Sequence, residues 1–249
     1  FRDETKIKFK EKYLEDIFSQ KILHAFVLTL ITIFTSISTP SLADNNSFEK
    51  LEDEIKEQIL LIKTGKNEKA IRDLNQLIKK GKQNAVIFHY LGRAYEARNS
   101  LDQSIEFFKK SIEADELYAK PYLGLALIKG QKGKLNETLE LLNKAIKLNP
   151  FYAEAYSNRG VTKGALSDNY GAIDDFTEAI RLNPLLTDAY RNRGITHELI
   201  GDLINACEDW KVAGSLGQKQ AESWYSEQCD NSQISQLLRQ KTTIESLEI

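Results

Sequence analysis

A step of 34 residues runs through this chain and decides what it can fold into. One column at that step reads Glu54, Phe88, Tyr122, Tyr156, Tyr190, Trp224. Four residues on, another reads Gln58, Gly92, Ala126, Gly160, Gly194. Small residues recur at Ala70, Ser104, Thr138, Ala172 and Ala206, and again at Ser111, Ala145, Ala179 and Ala213. A bulky column stands between them: Leu74, Phe108, Leu142, Phe176, Trp210. No insertion breaks the register from 51 to 218.

One copy, 153–184, shows what the unit is. Tyr156, Gly160 and Val161 share a face of a first helix at three- and four-residue spacing. Ser167, Asp168 and Asn169 make a turn, and Ala172, Ile173, Phe176, Ala179 and Ile180 form the apolar stripe of a second helix. Asn183-Pro184 ends it, because proline has no amide hydrogen and disfavours helix in the residue before it. Such a hairpin cannot bury its stripe alone and needs neighbours of its own kind. Small columns let two helices approach, and the bulky column fills the space beside them. Gly65, Gly133 and Gly201 fall in the inner turns, where a left-handed backbone suits glycine. The expected class is all-α.

These columns resemble the tetratricopeptide repeat of bacterial proteins. The sets Gly160/Ala172/Ala179 and Gly194/Ala206/Ala213, with the aromatics before them, match its signature. The resemblance implies an α-solenoid of stacked helix-turn-helix units in a right-handed superhelix. The repeats are placed at 51–84, 85–118, 119–152, 153–186 and 187–220, with a capping helix at 221–229, inside a solenoid spanning 48–230. The first copy departs most, with Glu54 and Gln58 in the aromatic and small columns, as a terminal repeat facing water can.

Outside the repeats, 231–249 is a polar tail with one more short helix expected around Ile234 to Leu238. At the other end, 1–43 is an N-terminal extension. Residues 22–43 carry no Asp, Glu, Lys or Arg, and the most apolar part, 25–34, is ten residues long. That is short for a membrane span of roughly 20 residues and fits the apolar core of a secretory signal. Pro40 breaks the helix, and Ser41-Leu42-Ala43 places small residues for a peptidase cutting before Asp44. An uncleaved anchor through 22–37 and a cytosolic helix are the alternatives. Methionine is absent, even at residue 1, and the charged stretch upstream is unusual for a signal. A fragment or a misassigned start is therefore expected.

The chemistry is sparse. The net charge of −2 provides no global field for nucleic acid or an anionic membrane. There is no phosphate-binding glycine loop, HExxH, GxSxG or CxxC. The three histidines, His24, His89 and His197, are far apart, and His197 is expected to be structural. The acidic pairs Asp174-Asp175 and Glu208-Asp209 read as solvated helix faces. No catalytic residue, metal site or cofactor is expected.

Binding is expected on the first helices, which line the concave side in the family that the chain resembles. Candidates for a peptide groove are His89, Arg93, Lys120, Leu127, Asn158, Val161, Arg191, Asn192 and Ile195. Ile59, Leu127, Val161 and Ile195 share one column and would give an apolar stripe, while Gly130 and Gly164 would leave room for a ligand backbone. An extended peptide or a partner helix suits such a trough. Some relatives clamp a C-terminal carboxylate with asparagines and cations. Asn158 and Asn192 sit where such asparagines sit, but Leu123, Leu127 and Asp188 stand where cations are needed, so that clamp is not expected. The repeated Asn-Arg-Gly of 158–160 and 192–194 is expected to tie adjacent hairpins together instead.

The chain has two cysteines, Cys207 and Cys229, both in the part that would be exported. They lie about equally far from a turn near 217–218 in an antiparallel hairpin, so a disulfide is expected if the compartment is oxidising. Two buried free thiols are the alternative. The expected function is non-catalytic: an exported scaffold that binds an unidentified protein or peptide in its groove and helps to assemble an envelope or lumenal complex. The alternative is a membrane-anchored tether.

Overall fold

A computed structural model of the protein describes residues 42–230. The apolar leader and the expected helix at Ile234 to Leu238 lie outside them. Among the described residues there are twelve α-helices and no strand, and the architecture is an all-α solenoid. We number the helices α1 Leu42–Glu54, α2 Lys56–Lys63, α3 Asn67–Lys79, α4 Ala85–Glu96, α5 Leu101–Ala114, α6 Lys120–Gln131, α7 Leu135–Leu148, α8 Ala153–Ala165, α9 Asn169–Leu182, α10 Thr187–Leu199, α11 Leu203–Ser215 and α12 Lys219–Trp224. A short π-helical turn, Tyr225–Cys229, follows α12. Helices α2/α3, α4/α5, α6/α7, α8/α9 and α10/α11 are five successive hairpins.

The same backbone device closes every inner turn. The residues at the 34-residue step there, Gly65, Asn99, Gly133, Ser167 and Gly201, all have positive φ, from 57° to 84°. The next residue's amide then donates back into the first helix. Lys66 bonds the Leu61 carbonyl at 2.8 Å, Asp168 bonds that of Lys163 at 2.9 Å, and Asp202 bonds that of His197 at 2.8 Å. This is the six-to-one closure that satisfies a carbonyl left open at a helix end. Between hairpins, Asp115, Asn149 and Asn183 take an extended backbone and accept from the amide two residues on, Leu117, Phe151 and Leu185, at 2.9, 3.0 and 3.1 Å. Short polar side chains that bond their own backbone favour such turns over helix.

The core follows the columns. Leu74, Phe108, Leu142, Phe176 and Trp210 are all buried, as are the small columns on either side. The glycines explain how aromatics fit. A Cβ added at Gly92 would stand 2.6 Å from the Phe108 ring, at Gly160 2.8 Å from Phe176, and at Gly194 2.5 Å from Trp210. Where the bulky residue is the smaller Leu142, the facing position is Ala126. Helix and ring are thus matched in volume hairpin by hairpin, as a close-packed interior requires. At the C-terminal end Ala221, Trp224 and Cys229 join the cluster around Trp210, the two indoles lying 5.5 Å apart. A disulfide joins Cys207 of α11 to Cys229, with Cα atoms 5.7 Å apart.

The acidic pairs correct one expectation. Asp174 is exposed and Glu208 half-buried, but Asp175 and Asp209 are buried, each 4% exposed. They are not solvated faces, because each is paired by an arginine sixteen residues upstream. Arg159 grips Asp175 at 2.8 and 2.7 Å, and Arg193 grips Asp209 at 2.9 and 2.7 Å.

Candidate functional site

The first-helix face is the place to look, and it divides into two parts. At the C-terminal part it is open. Val161 of α8 is 48% exposed, and Ile195, one repeat on in α10, is half-buried. Asn158 donates from Nδ2 to the Glu154 carbonyl at 2.7 Å, one turn back on its own helix. Arg191 lies 3.2 Å from Asp188 through one terminal nitrogen, while its Nε is buried without a hydrogen-bond partner. Asn192 is half-buried on α10, and Leu127 is half-buried against the cluster of Leu123 and Ala126. Apolar side chains here alternate with polar groups that hold only local partners.

At the N-terminal part the face is occupied, and sequence reasoning missed this. Helices α1 and α2 are separated at Ile55, which is buried and has φ −115° and ψ 23°. Upstream of that break, α1 lays Phe48 against Tyr118, with ring centroids 4.6 Å apart. Glu52 accepts from the Tyr118 hydroxyl at 2.7 Å and from Lys120 Nζ at 2.5 and 2.7 Å. Lys120 is therefore committed to a carboxylate of the same chain. His89 is not a groove residue. It is 5% exposed and packed between the rings of Tyr90, Phe108 and Tyr118, at 4.9, 5.5 and 5.5 Å. Burial first, then the charges of Arg93 and Lys120, hold its imidazole well below its ordinary range. Burial, and then the Glu52 carboxylate, push the Tyr90 and Tyr118 phenols up, so both remain protonated donors. Arg93 is partly exposed and pairs with Glu96 at 3.2 Å. No repeat position announces α1's course, because Phe48 lies upstream of the first copy; the one sequence signal is the Phe48/Glu52 pair at helical spacing.

Gly130 and Gly164 do not open the face. Their nearest neighbours for an added Cβ are Thr138 at 3.7 Å and Ala172 at 3.9 Å, across the seam of their own hairpins. The Asn-Arg-Gly arginines reach between hairpins: Arg159 donates to Asn143 at 2.8 Å, and Arg193 donates to Thr177 at 2.9 Å. Asn143 and Thr177 belong to the second helix of the preceding hairpin. His197 Nδ1 lies 3.3 Å from the Asp202 carboxylate across its own inner turn. Among the described residues no group of histidine, cysteine and carboxylate ligands could hold a metal ion.

A row of near-identical helical hairpins with an exposed first-helix face defines a repeat protein whose fold is generally a frame for binding rather than catalysis. Two family models agree, one for a tetratricopeptide repeat matching 59–119 and one for a TPR repeat matching 128–167. Over those two stretches the chain carries tetratricopeptide repeats. Among solved structures it is similar to one described as the crystal structure of MamA, with 25% identity, 66% of this chain and 96% of that chain covered, and a TM-score of 0.53. A second MamA crystal structure gives 24% identity over 71% of this chain and 96% of the other, with a TM-score of 0.52. A MamA RS-1 double mutant matches at 17% identity, covering 70% and 96%, with a TM-score of 0.54, a likeness of fold alone. No curated protein sequence matches.

Proposed function

We propose that this protein is a non-catalytic scaffold that takes a peptide or helical segment of a protein partner along its first-helix face and helps to assemble an envelope or lumenal complex. The observation that carries this reading is the exposure of Val161 beside half-buried Ile195, one repeat apart on neighbouring first helices. Apolar side chains in a contiguous patch mark an interaction site where single exposed ones do not, and a trough of apolar floor and polar rim suits extended or helical ligands. Residues 22–43 support export, as a secretory leader does, and the Cys207–Cys229 bond suits an oxidising compartment.

Replacing Val161 and Ile195 together by Glu is expected to abolish capture of the native partner while leaving the far-ultraviolet circular dichroism unchanged. Ala172→Glu or Ala206→Glu is expected to unfold the array locally, since both alanines are fully buried and the new charge has no partner. Equal loss of helix in both classes would refute the assignment of the face. N-terminal sequencing of the native protein is expected to begin at or near Asp44; an intact leader in the membrane fraction would favour the tether instead.

A further inference from the structure

We infer that the surface formed by Tyr118 and Lys120 at the N-terminal end of α6 is a binding pocket for an amphipathic helix carrying an aromatic residue and a carboxylate four positions apart, and that α1 fills it in cis as a stand-in for that partner. The inference rests on the reading of the first-helix face as a binding surface and names the chemistry of its ligand.

Three features of the pocket select such a ligand. Its polar end is cationic and rich in donors: Lys120 Nζ and the Tyr118 hydroxyl converge on both oxygens of Glu52. Its apolar end is aromatic, with Tyr118 against Phe48. The two ends are matched by Phe48 and Glu52, which one helical turn places on the same face. A carboxylate without those donors, or the donors without a carboxylate, would leave partly buried polar groups unpaired, so the pocket discriminates on charge as well as shape.

The attachment of α1 suits a removable occupant. Most of α1, up to residue 50, precedes the first repeat, and it is joined to α2 through Ile55, where the helical backbone is interrupted. Its polar contacts, to Tyr118 at the end of the second repeat and Lys120 at the start of the third, are made by side chains 66 and 68 residues away in sequence. A partner helix bearing the same pair can take over both the ring contact and the ion pair while α1 turns aside at Ile55. An intramolecular occupant of this kind scales the apparent affinity for the partner by the fraction of time that it is unseated.

A fluorescent peptide with the sequence of residues 42–55 serves as the probe, with the full chain as receptor. Releasing α1 by Phe48→Ala and Glu52→Gln in the receptor is expected to tighten peptide binding by about tenfold or more relative to the unaltered chain. Adding Lys120→Glu to that receptor is expected to remove the binding, and a peptide carrying Lys in place of Glu52 is expected to restore it. Excess peptide is also expected to speed amide hydrogen exchange over residues 47–55 of the unaltered chain, as α1 is displaced. Failure of the released receptor to bind, or binding indifferent to the Lys120 charge, overturns the inference. Such a failure alongside retained partner capture that Val161→Glu/Ile195→Glu still abolishes would leave the scaffold reading standing and remove only this pocket. Loss of the circular dichroism signal in the released receptor shifts the decision to the exchange experiment, where unchanged exchange over 47–55 at saturating peptide likewise overturns it.

Discussion

Position 159 and its partner sixteen residues on show how one residue pair solves the same packing problem in two ways. From the second hairpin on, the pairs at the 34-residue step are Leu91/Phe107, Leu125/Leu141, Arg159/Asp175 and Arg193/Asp209. Two hairpins use apolar side chains and two use a bidentate ion pair. Burial raises the Asp209 carboxyl above its ordinary value, and the hydrogen bonds and charge of Arg193 offset part of this. Breaking such a pair leaves a buried charge, which typically costs about 3–5 kcal/mol, whereas replacing both members with apolar residues is often neutral. We expect Asp209→Leu alone to destabilise the fold on that scale and Arg193→Leu/Asp209→Leu to recover most of it in urea unfolding. This offset was present in the sequence and pointed to Asp175 and Asp209 as packed, because each stands in the column of half-buried Phe107 and Leu141 with an arginine in the partner column.

His89 provides a pH dependence at the same scale. Its folded-state pKa lies below the ordinary 6.5, so between those values the unfolded chain binds a proton that the folded one does not. Stability is therefore fully present above 6.5 and falls as pH drops through that window, with a limiting slope of about 1.4 kcal/mol per pH unit for one proton. Urea midpoints measured from pH 7.5 to 5 are expected to fall, and His89→Phe is expected to flatten the His89 contribution. Ser167 offers a gain instead. Its φ of 66° is left-handed, which costs an L-residue about 1–2 kcal/mol. Ser167→Gly, matching Gly133 and Gly201, is expected to raise the thermal midpoint.

Among the elements, the ten hairpin helices were legible and α1 was not. A helix that recurs five times is over-determined: its stripe, its turn residue and its facing column repeat together, so local ambiguity at one copy is settled by the others. Helix α1 occurs once. Its position depends on the interruption at Ile55 and on contacts with Tyr118 and Lys120, 66 and 68 residues further along the chain from Glu52, and no periodicity encodes a long-range contact of that kind. The same reason explains the candidate site. Val161 and Ile195 could be placed by column, whereas His89 and Lys120, on the first helices of earlier copies, could not be known to lie under or against another helix. Exposure depends on what crosses a face as well as on which face a residue occupies.

For the whole molecule, the disulfide is the covalent tie at the C-terminal end of the stack. It closes a separation of 22 residues, and a loop of that size stabilises a fold by about 3 kcal/mol in the chain-entropy model. Under dithiothreitol the cap, α12 and the π-helical turn, is expected to exchange its amides and admit protease before α4 to α9 do. Co-melting of all segments under reducing conditions would contradict this. Both cysteines belong to the last hairpin and its cap, and each bridging arginine reaches back by only one hairpin. The fastening of the end is therefore independent of how many units precede it. Gene duplication or deletion within 119–186 could lengthen or shorten the array in steps of 34 residues without redesigning its terminus. Such a change would alter the span available to a ligand while every seam continued to meet the neighbour it was built for.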